Sequence, residues 1–178
     1  MLRLFTGIEI EAPVAARLTE ALRFLRPTAE LQWSRDENLH ITTKFIGAWA
    51  QDNLEAVIEA LHRVELPAAF EVAVGEIGYF PNANTPRVLM ARVAQSPPLN
   101  QLVSRTEDAL EALGVAREER PYTPHITLAR IRRGTKVQTL REAISRQPND
   151  FGTFHARRFH LYRSENGVYT SLTAFPVH

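Results

Sequence analysis

The sequence predicts an α+β fold in which a single domain spans residues 1–178 and contains two similar β-α-β-α-β halves, 1–80 and 87–178. Three observations lead to this prediction. Predicted strands and helices follow the same order in both halves, a turn-forming segment at 81–86 separates them, and the tripeptide His-Ile-Thr occurs once in each half. We therefore expect a bilobal molecule with pseudo-symmetric halves, in which antiparallel-rich sheets line a central cleft and the helices lie outside.

The first half contains the following elements. Its predicted strands are short apolar runs, and they cover residues 2–10, 39–46 and 70–80. A first helix is predicted over 12–26, because Leu18, Leu22 and Leu25 recur at helical spacing. A second helix follows Trp49, and its apolar residues are Leu54, Val57, Ile58 and Leu61.

The second half repeats this order and then adds a hairpin. Its predicted strands cover residues 87–94, 126–131, 153–162 and 168–175. One helix is predicted over 98–113, ended by Gly114, and another near 137–146. Asn166-Gly167 is a strong signal for a tight turn between the last two strands.

Composition limits the kind of protein and its location. The chain has no cysteine, which excludes disulfides, thiol catalysis and cysteine-based metal sites. The apolar N-terminal segment is interrupted by Arg3 and Glu9, and no run approaches the length of a membrane span. We therefore expect a cytoplasmic monomer with no membrane partner. The net charge of +1 gives no general argument for nucleic acid, although all but two of the 21 basic residues are arginine.

The repeated tripeptide predicts a pair of chemical groups in each half. On a strand, residues i and i+2 point to one face, so His40 lies beside Thr42 and His125 beside Thr127. If the two halves face each other, two imidazoles and two hydroxyls surround one small substrate. Hydrolysis of a phosphodiester needs a base for the attacking water and an acid for the departing oxygen, and histidine suits both near neutral pH. Threonine hydroxyls can donate hydrogen bonds to the non-bridging oxygens.

Other readings of the same residues stay open at this point. A single His-x-Thr pair on a strand is more often a packing position, whereas two copies in corresponding places favour a site. An inactive relic of duplication is a further alternative. A metal site is disfavoured because no carboxylate lies at ligand spacing beside either histidine, so we expect no metal and no other cofactor. A serine triad lacks its nucleophile-elbow signature.

At this stage the chain resembles the 2H phosphoesterase superfamily, and within it the RNA 2′,3′-cyclic phosphodiesterases, also described as 2′-5′ RNA ligases. The resemblance is carried by His40-Ile41-Thr42-Thr43-Lys44-Phe45 and His125-Ile126-Thr127-Leu128-Ala129-Arg130. The opening Arg3-Leu4-Phe5-Thr6-Gly7-Ile8, Pro124, and the closing Leu161-Tyr162-Arg163-Ser164, Tyr169 and Phe175-Pro176 also fit. Thr43 departs from the pattern, which often has leucine there.

The resemblance implies hydrolysis of an RNA terminal 2′,3′-cyclic phosphate to a 2′-phosphate without a metal, accompanied in some members by 2′-5′ RNA ligation. It makes His40 and His125 the catalytic pair and Thr42 and Thr127 the groups that hold phosphate. We expect His125 to act as the base on water and His40 as the acid. The alternatives are a phosphodiesterase for a small cyclic-phosphate nucleotide and a non-catalytic module that binds RNA ends.

Phe45 and Arg130 occupy equivalent places, each five positions after its histidine. Both side chains are planar, and proteins that bind RNA commonly stack bases on such groups. We expect them to hold the terminal nucleobase from opposite sides. An odd offset points to the other face of a regular strand, so this expectation requires a β-bulge or a strand end between Thr and the planar residue. Packing of Phe45 in the core is the alternative.

Three further expectations concern residues near these motifs. Tyr122 is expected to line the cleft and contact substrate. Lys44 is expected to share the face of His40, where it would meet phosphate or reach solvent. The remaining histidines are expected to be non-catalytic, and they are His62, His155, His160 and His178.

Overall fold

The computed structural model describes residues 1–65 and 68–177. The strands in these residues are β1 (Leu2–Glu9), β2 (Gln32–Trp33), β3 (His40–Trp49), β4 (Phe70–Phe80), β5 (Val88–Val93), β6 (His125–Arg130), β7 (Asp150–Ala156), β8 (Arg158–Glu165) and β9 (Val168–Pro176). The α-helices are α1 (Val14–Leu25), α2 (Leu54–His62), α3 (Pro97–Glu111) and α4 (Gln138–Ile144).

These elements confirm the α+β class and the predicted order of strands and helices. The prediction of one strand over 153–162 is wrong, because the chain leaves one strand at Ala156 and enters another at Arg158. Strand β2 was not predicted, since two residues are too few to show a period. The Asn166-Gly167 turn is confirmed, with φ values of 52° and 75° that suit a tight hairpin.

All strands belong to one antiparallel sheet with the order β7-β4-β5-β6-β3-β1-β8-β9, and β2 pairs with β6. We call β1, β3, β8 and β9 the first lobe and β4, β5, β6 and β7 the second lobe. The lobes meet where β3 and β6 pair through Ile41 and Ile126. This junction lies inside the two His-Ile-Thr copies, so the sheet itself brings the motifs side by side.

The connection between β7 and β8 shows that the sheet curls. The two strands are six positions apart in the sheet order, which is about 29 Å in a flat sheet. Only Arg157 joins them, and two Cα–Cα steps reach about 7 Å. The ends of the sheet must therefore approach each other, with the His-Ile-Thr strands in the middle of the curve.

Each lobe contains strands from both halves of the chain. The late strands β8 and β9 complete the lobe of β1 and β3, and the early strand β4 lies between β5 and β7. The division into sequence repeats 1–80 and 87–178 stays a prediction about how the chain arose. It does not coincide with the lobes.

Helices α1 and α3 pack on the sheet face opposite to the histidines, and α4 packs against α1. Helix α1 contacts β7, and α3 contacts β3. The α1 residues predicted to form its apolar stripe, Leu18, Leu22 and Leu25, are fully buried. No helix among residues 1–65 and 68–177 is long and apolar enough to cross a membrane.

Candidate active site

The two His-x-Thr pairs lie on the same side of adjacent strands. In both β3 and β6 the histidine and the threonine are half-buried, while the isoleucine between them is fully buried. This alternation follows from the two-residue period of a strand. The structure therefore brings together the four side chains that the sequence predicted to form the site.

Both histidine rings are held in the same way. His40 Nδ1 lies 2.7 Å from the carbonyl oxygen of Asn38, and His125 Nδ1 lies 2.9 Å from that of Thr123. A carbonyl oxygen only accepts, so Nδ1 carries a proton in both rings. In the neutral form, each Nε2 then has a free lone pair. His40 Nε2 lies 2.7 Å from Thr42 Oγ1, whose hydroxyl donates to it in that form.

The two rings differ in their electrostatic environment. The pKa of His40 is lowered from its ordinary value, chiefly because burial disfavours the charged ring. The hydrogen bond to the Asn38 carbonyl opposes this shift, and the nearby charge of His125 adds to it. His40 is therefore held in the neutral form near pH 7, which is the form that can take up a proton.

A β-bulge follows the threonine in each motif. In the pairing of β1 with β3, Thr6 lies opposite Lys44 and Gly7 opposite Thr42, so Thr43 is an extra residue. The same shift occurs where β5 pairs with β6, and there Leu128 is the extra residue. Each bulge places two consecutive side chains on the buried face and returns the next one to the cleft.

The bulges supply the geometry that Phe45 and Arg130 required. Both residues line the cleft together with His40, Thr42 and Thr127. The cleft has a volume of about 490 Å³, and 66% of the Phe45 surface is exposed. An aromatic ring left this open is unusual for a packing residue. Contact of these two side chains with a nucleobase stays a prediction.

Lys44 lies on the opposite face of the sheet, so the expectation that it shares the face of His40 is wrong. The bulge at Thr43 turns it inward, where Nζ lies 2.9 and 3.0 Å from the carboxylate oxygens of Glu107 on α3. It also donates to the Ala116 carbonyl at 2.7 Å. Thr43 itself forms a buried hydrogen bond of 2.6 Å with the Thr6 hydroxyl, which explains how a polar residue is accommodated there.

Tyr122 joins the two motifs, and it is not among the residues that line the cleft. Its hydroxyl donates to the carbonyl oxygen of Thr42 at 2.8 Å. Burial raises the pKa of the phenol, so it remains a donor over the whole physiological range. His125 is likewise not among the residues that line the cleft, but it lies on the same face of β6 as Thr127.

Sequence reasoning missed several residues around the site. Gln32 and Trp33 of β2 form part of the cleft wall, next to Arg130. Gly7 lies beneath His40, and a methyl group there would lie 2.8 Å from the Ile41 carbonyl and 3.2 Å from His40 Cδ2. The requirement for glycine gives no signal in a single sequence, since only the fold brings β1 under the ring.

The remaining histidines within the described residues have other surroundings, and of these His160 lies nearest to the site, because its ring stacks on Tyr162 next to His40. His62 packs edge-on against Phe175, His155 is exposed on β7, and buried His160 lies 2.9 Å from the Ser171 hydroxyl. His178 lies outside the described residues. Over residues 1–65 and 68–177, no group of three or more His, Asp or Glu side chains is placed to hold a metal ion.

Comparison with known protein families gives a match over most of the chain. The family model of the 2′-5′ RNA ligase superfamily matches residues 10–168. A Thermus thermophilus protein named RNA 2′,3′-cyclic phosphodiesterase is 33% identical over 135 residues, which are 72% of this chain and 68% of the relative. A protein of the same name from Archaeoglobus fulgidus is 26% identical over 98% of this chain and 99% of its own length.

Solved structures show the same fold. A protein from Thermus thermophilus superposes with a TM-score of 0.78 at 29% identity, covering 98% of this chain and 97% of the other. The E. coli protein LigT, crystallised with 3′-AMP, superposes with a TM-score of 0.79 at 23% identity over 99% and 98% of the two chains. At this identity the second match supports the fold alone.

Proposed function

Because the chain belongs to the 2′-5′ RNA ligase superfamily, we propose that it is an RNA 2′,3′-cyclic phosphodiesterase that converts a terminal 2′,3′-cyclic phosphate into a 2′-phosphate. The observation that carries the proposal is the pair of His-x-Thr motifs on one face of adjacent strands, with both histidines held by Nδ1. Relatives with the name RNA 2′,3′-cyclic phosphodiesterase support the same reaction.

His40 is the base and His125 the acid in this proposal, which reverses the expectation from the sequence. The lowered pKa of His40 supports the base role, because a base must be neutral before the reaction. Water attacks phosphorus and gives its proton to His40 Nε2. The bond from phosphorus to the 3′ oxygen breaks, and protonated His125 delivers its Nε2 proton to that oxygen. The products are a 2′-phosphate and a free 3′ hydroxyl.

Thr42 and Thr127 hold the phosphate. The Thr42 hydroxyl faces His40 Nε2 at 2.7 Å, and rotation about one bond redirects it to a non-bridging oxygen. Donors aimed at oxygens that gain charge are worth more in the transition state than in the substrate. Tyr122 fixes the Thr42 backbone through its hydroxyl and so positions this group, while direct contact with substrate is not needed for that role.

Phe45 and Arg130 hold the terminal nucleobase from opposite sides, beside the phosphate site. Their lining of one cleft and the exposure of Phe45 support this role. Replacement of either by alanine should raise the Michaelis constant for a cyclic-phosphate RNA, because a stacked base is lost. An unchanged Michaelis constant in both variants would contradict contact of these two side chains with the nucleobase. Arg130 can also donate to the phosphate, since its guanidinium is always charged.

The same chemistry explains a ligase activity. If the 5′ hydroxyl of a second RNA takes the place of water, a new bond forms from phosphorus to that oxygen while the 3′ oxygen leaves. The phosphate stays on the 2′ oxygen, so the product has a 2′-5′ linkage. We expect hydrolysis to be faster than ligation, because water is always present in excess in an open cleft.

The first test is incubation with a 2′,3′-cyclic-phosphate oligonucleotide and with the corresponding mononucleotide, both in EDTA. We expect hydrolysis of the oligonucleotide, with a loss of about 100-fold or more in His40→Ala and His125→Ala. Turnover of the mononucleotide alone would favour a small-nucleotide enzyme. Binding of the oligonucleotide without turnover would favour an RNA-end binding module, and loss of activity only with chelator would indicate a metal.

A second test separates the two histidines. A substrate with sulfur in place of the 3′ bridging oxygen has a leaving group that needs no proton. We expect this substrate to restore cleavage in His125→Ala and not in His40→Ala. The opposite pattern would restore the assignment of His125 as base.

A further inference from the structure

Asn38 connects the ring of His40 to the hairpin at the end of the chain. This residue precedes β3, and only 9% of its surface is exposed. Its carbonyl oxygen accepts the hydrogen bond from His40 Nδ1 at 2.7 Å. Its side-chain amide donates to the Gly167 carbonyl at 2.8 Å and accepts from the Tyr169 backbone N–H at 3.3 Å. One residue thus bonds the histidine and the β8–β9 turn at the same time.

The hairpin that Asn38 holds forms a wall of the His40 site. The Tyr169 ring meets the His40 ring edge-on, with 5.3 Å between centroids and 84° between planes. It also packs edge-on against Phe5, whose ring lies 4.9 Å from that of His40. Tyr169 therefore covers the side of the His40 ring that faces the hairpin.

The second histidine has a simpler support. Thr123 holds His125 Nδ1 through its carbonyl oxygen, as Asn38 does for His40. Thr123 is exposed, and within the described ranges its side chain forms no hydrogen bond that ties it to another strand. The two halves thus agree in the backbone contact and differ in the amide clamp.

We propose that Asn38 is a positioning residue that couples the β8–β9 hairpin to the orientation and dryness of the His40 ring. The proposal rests on the proposed function, in which His40 takes a proton from water. The clamp fixes the carbonyl that selects the Nδ1–H tautomer, and it keeps Tyr169 against the ring. Without it the ring turns more freely, and bulk water also reaches the side of the ring that Tyr169 covers.

Titratable or charged groups surround His40. Those on neighbouring strands are Glu9 of β1, His125 of β6, Tyr162 of β8 with His160 behind it, and Tyr169 of β9. Arg3, Arg35 and Arg130 line the same cleft. None of these changes in an Asn38→Ala variant. A shift in the titration of His40 in that variant therefore reports the loss of the clamp and of the shielding that it maintains.

The experiment compares wild type with Asn38→Ala and Asn38→Asp. We expect kcat to fall by about 10-fold to 100-fold, with a smaller change in KM, because a ring displaced by a fraction of an ångström no longer aligns with water. The acid limb of the kcat/KM profile should move to higher pH in Asn38→Ala, because burial affects the His40 pKa more than the hydrogen bond to the Asn38 carbonyl, which the variant also loosens. Asn82→Ala is the control, since Asn82 also binds loop backbone, at Asn84 and Thr85, but lies in the 81–86 segment.

A second readout does not depend on activity. The His40 ring can be titrated by NMR in wild type and in Asn38→Ala, with assignment by His40→Ala. A rise of the His40 pKa towards its ordinary value in Asn38→Ala supports the proposal even if wild type has no cyclic phosphodiesterase activity, in which case only the proposed function fails. An unchanged titration in a variant with a native-like melting curve would overturn it. If Asn38→Ala does not fold, Asn38→Asp decides, and an unchanged titration and kcat there would equally overturn it.

Discussion

Replacing Lys44 by methionine tests the buried side of the catalytic strand. The Lys44 and Glu107 side chains are only 5% and 8% exposed, and the three Lys44 hydrogen bonds go to the two carboxylate oxygens and to the Ala116 carbonyl. Methionine fills the same space without charge, so Glu107 is left buried and unpaired. Removal of one partner from a buried ion pair typically costs about 3–5 kcal/mol. In a chain of this length, this corresponds to about 6–20 °C in melting temperature.

The assay is urea unfolding followed by tryptophan fluorescence, with Glu107→Gln and the double variant completing a cycle. In the double variant, the side-chain amide that replaces the Glu107 carboxylate keeps an acceptor for the Glu118 backbone N–H and leaves no buried charge. We expect the double variant to recover at least about 2 kcal/mol of the Lys44→Met loss. A Lys44→Met loss below about 1 kcal/mol with an unchanged m-value would refute the reasoning. A strong rise in the KM for cyclic-phosphate RNA in the folded Lys44→Met variant would indicate instead that Lys44 contacts the phosphate.

Three further predictions concern the cleft. Gly7→Ala should lower the free energy of unfolding by about 1–3 kcal/mol and reduce kcat, because the added methyl group collides with the Ile41 carbonyl and the His40 ring. Urea unfolding and steady-state kinetics check this. Gly75→Ala is the control, because the nearest atoms to its methyl group lie 3.8 and 3.9 Å away. Thr42→Val and Thr127→Val should each reduce kcat by about 10²- to 10³-fold, whereas the serine variants keep most activity in a steady-state assay. The acid limb of the kcat/KM profile should lie below the ordinary histidine pKa. Burial lowers the pKa of His40, and activity is lost as the pH falls through that pKa because the base becomes protonated. An acid limb above the ordinary value would contradict the role of His40 as the base.

Much of the site was predictable from the sequence because its signals are local. The two-residue period of a strand places His40 beside Thr42 and His125 beside Thr127, and the structure confirms this arrangement. The repetition of the motif indicated that the two strands are equivalent. Their direct pairing through Ile41 and Ile126 goes beyond that expectation, since hydrogen bonding between particular strands is a property of the whole sheet.

The bulges could be stated only as a requirement. A bulge exists where two residues of one strand face one residue of its neighbour, so it depends on β1 and β5 as much as on the motifs. The prediction for Lys44 was wrong for the same reason, because a regular strand without the bulge would place it on the face of His40. The Glu107 carboxylate that pairs with Lys44 lies 63 positions further along the chain, on α3, so no local sequence pattern could predict this contact.

The break of the predicted strand 153–162 has a similar cause. Both segments are extended and contain buried apolar residues, and Arg157 carries no turn signal. The change of direction is imposed by the partners, since β4 accepts one segment and β1 with β9 accept the other. Local propensity describes both strands correctly but contains nothing about which neighbours they choose.

The exchange of strands between the two lobes has a consequence for how the protein can be divided. A chain cut within 81–86 would yield a first fragment whose β4 has lost both of its neighbours, and a second fragment whose β8 has lost β1. Neither fragment can close its own sheet, so the two must associate to form either lobe. If the halves arose by duplication in this arrangement, a strand-exchanged dimer of identical single-copy chains would complete both lobes and bring two histidines together. Fusion of two such chains would turn a site shared between molecules into one within a single molecule, and would free the two histidines to take different roles.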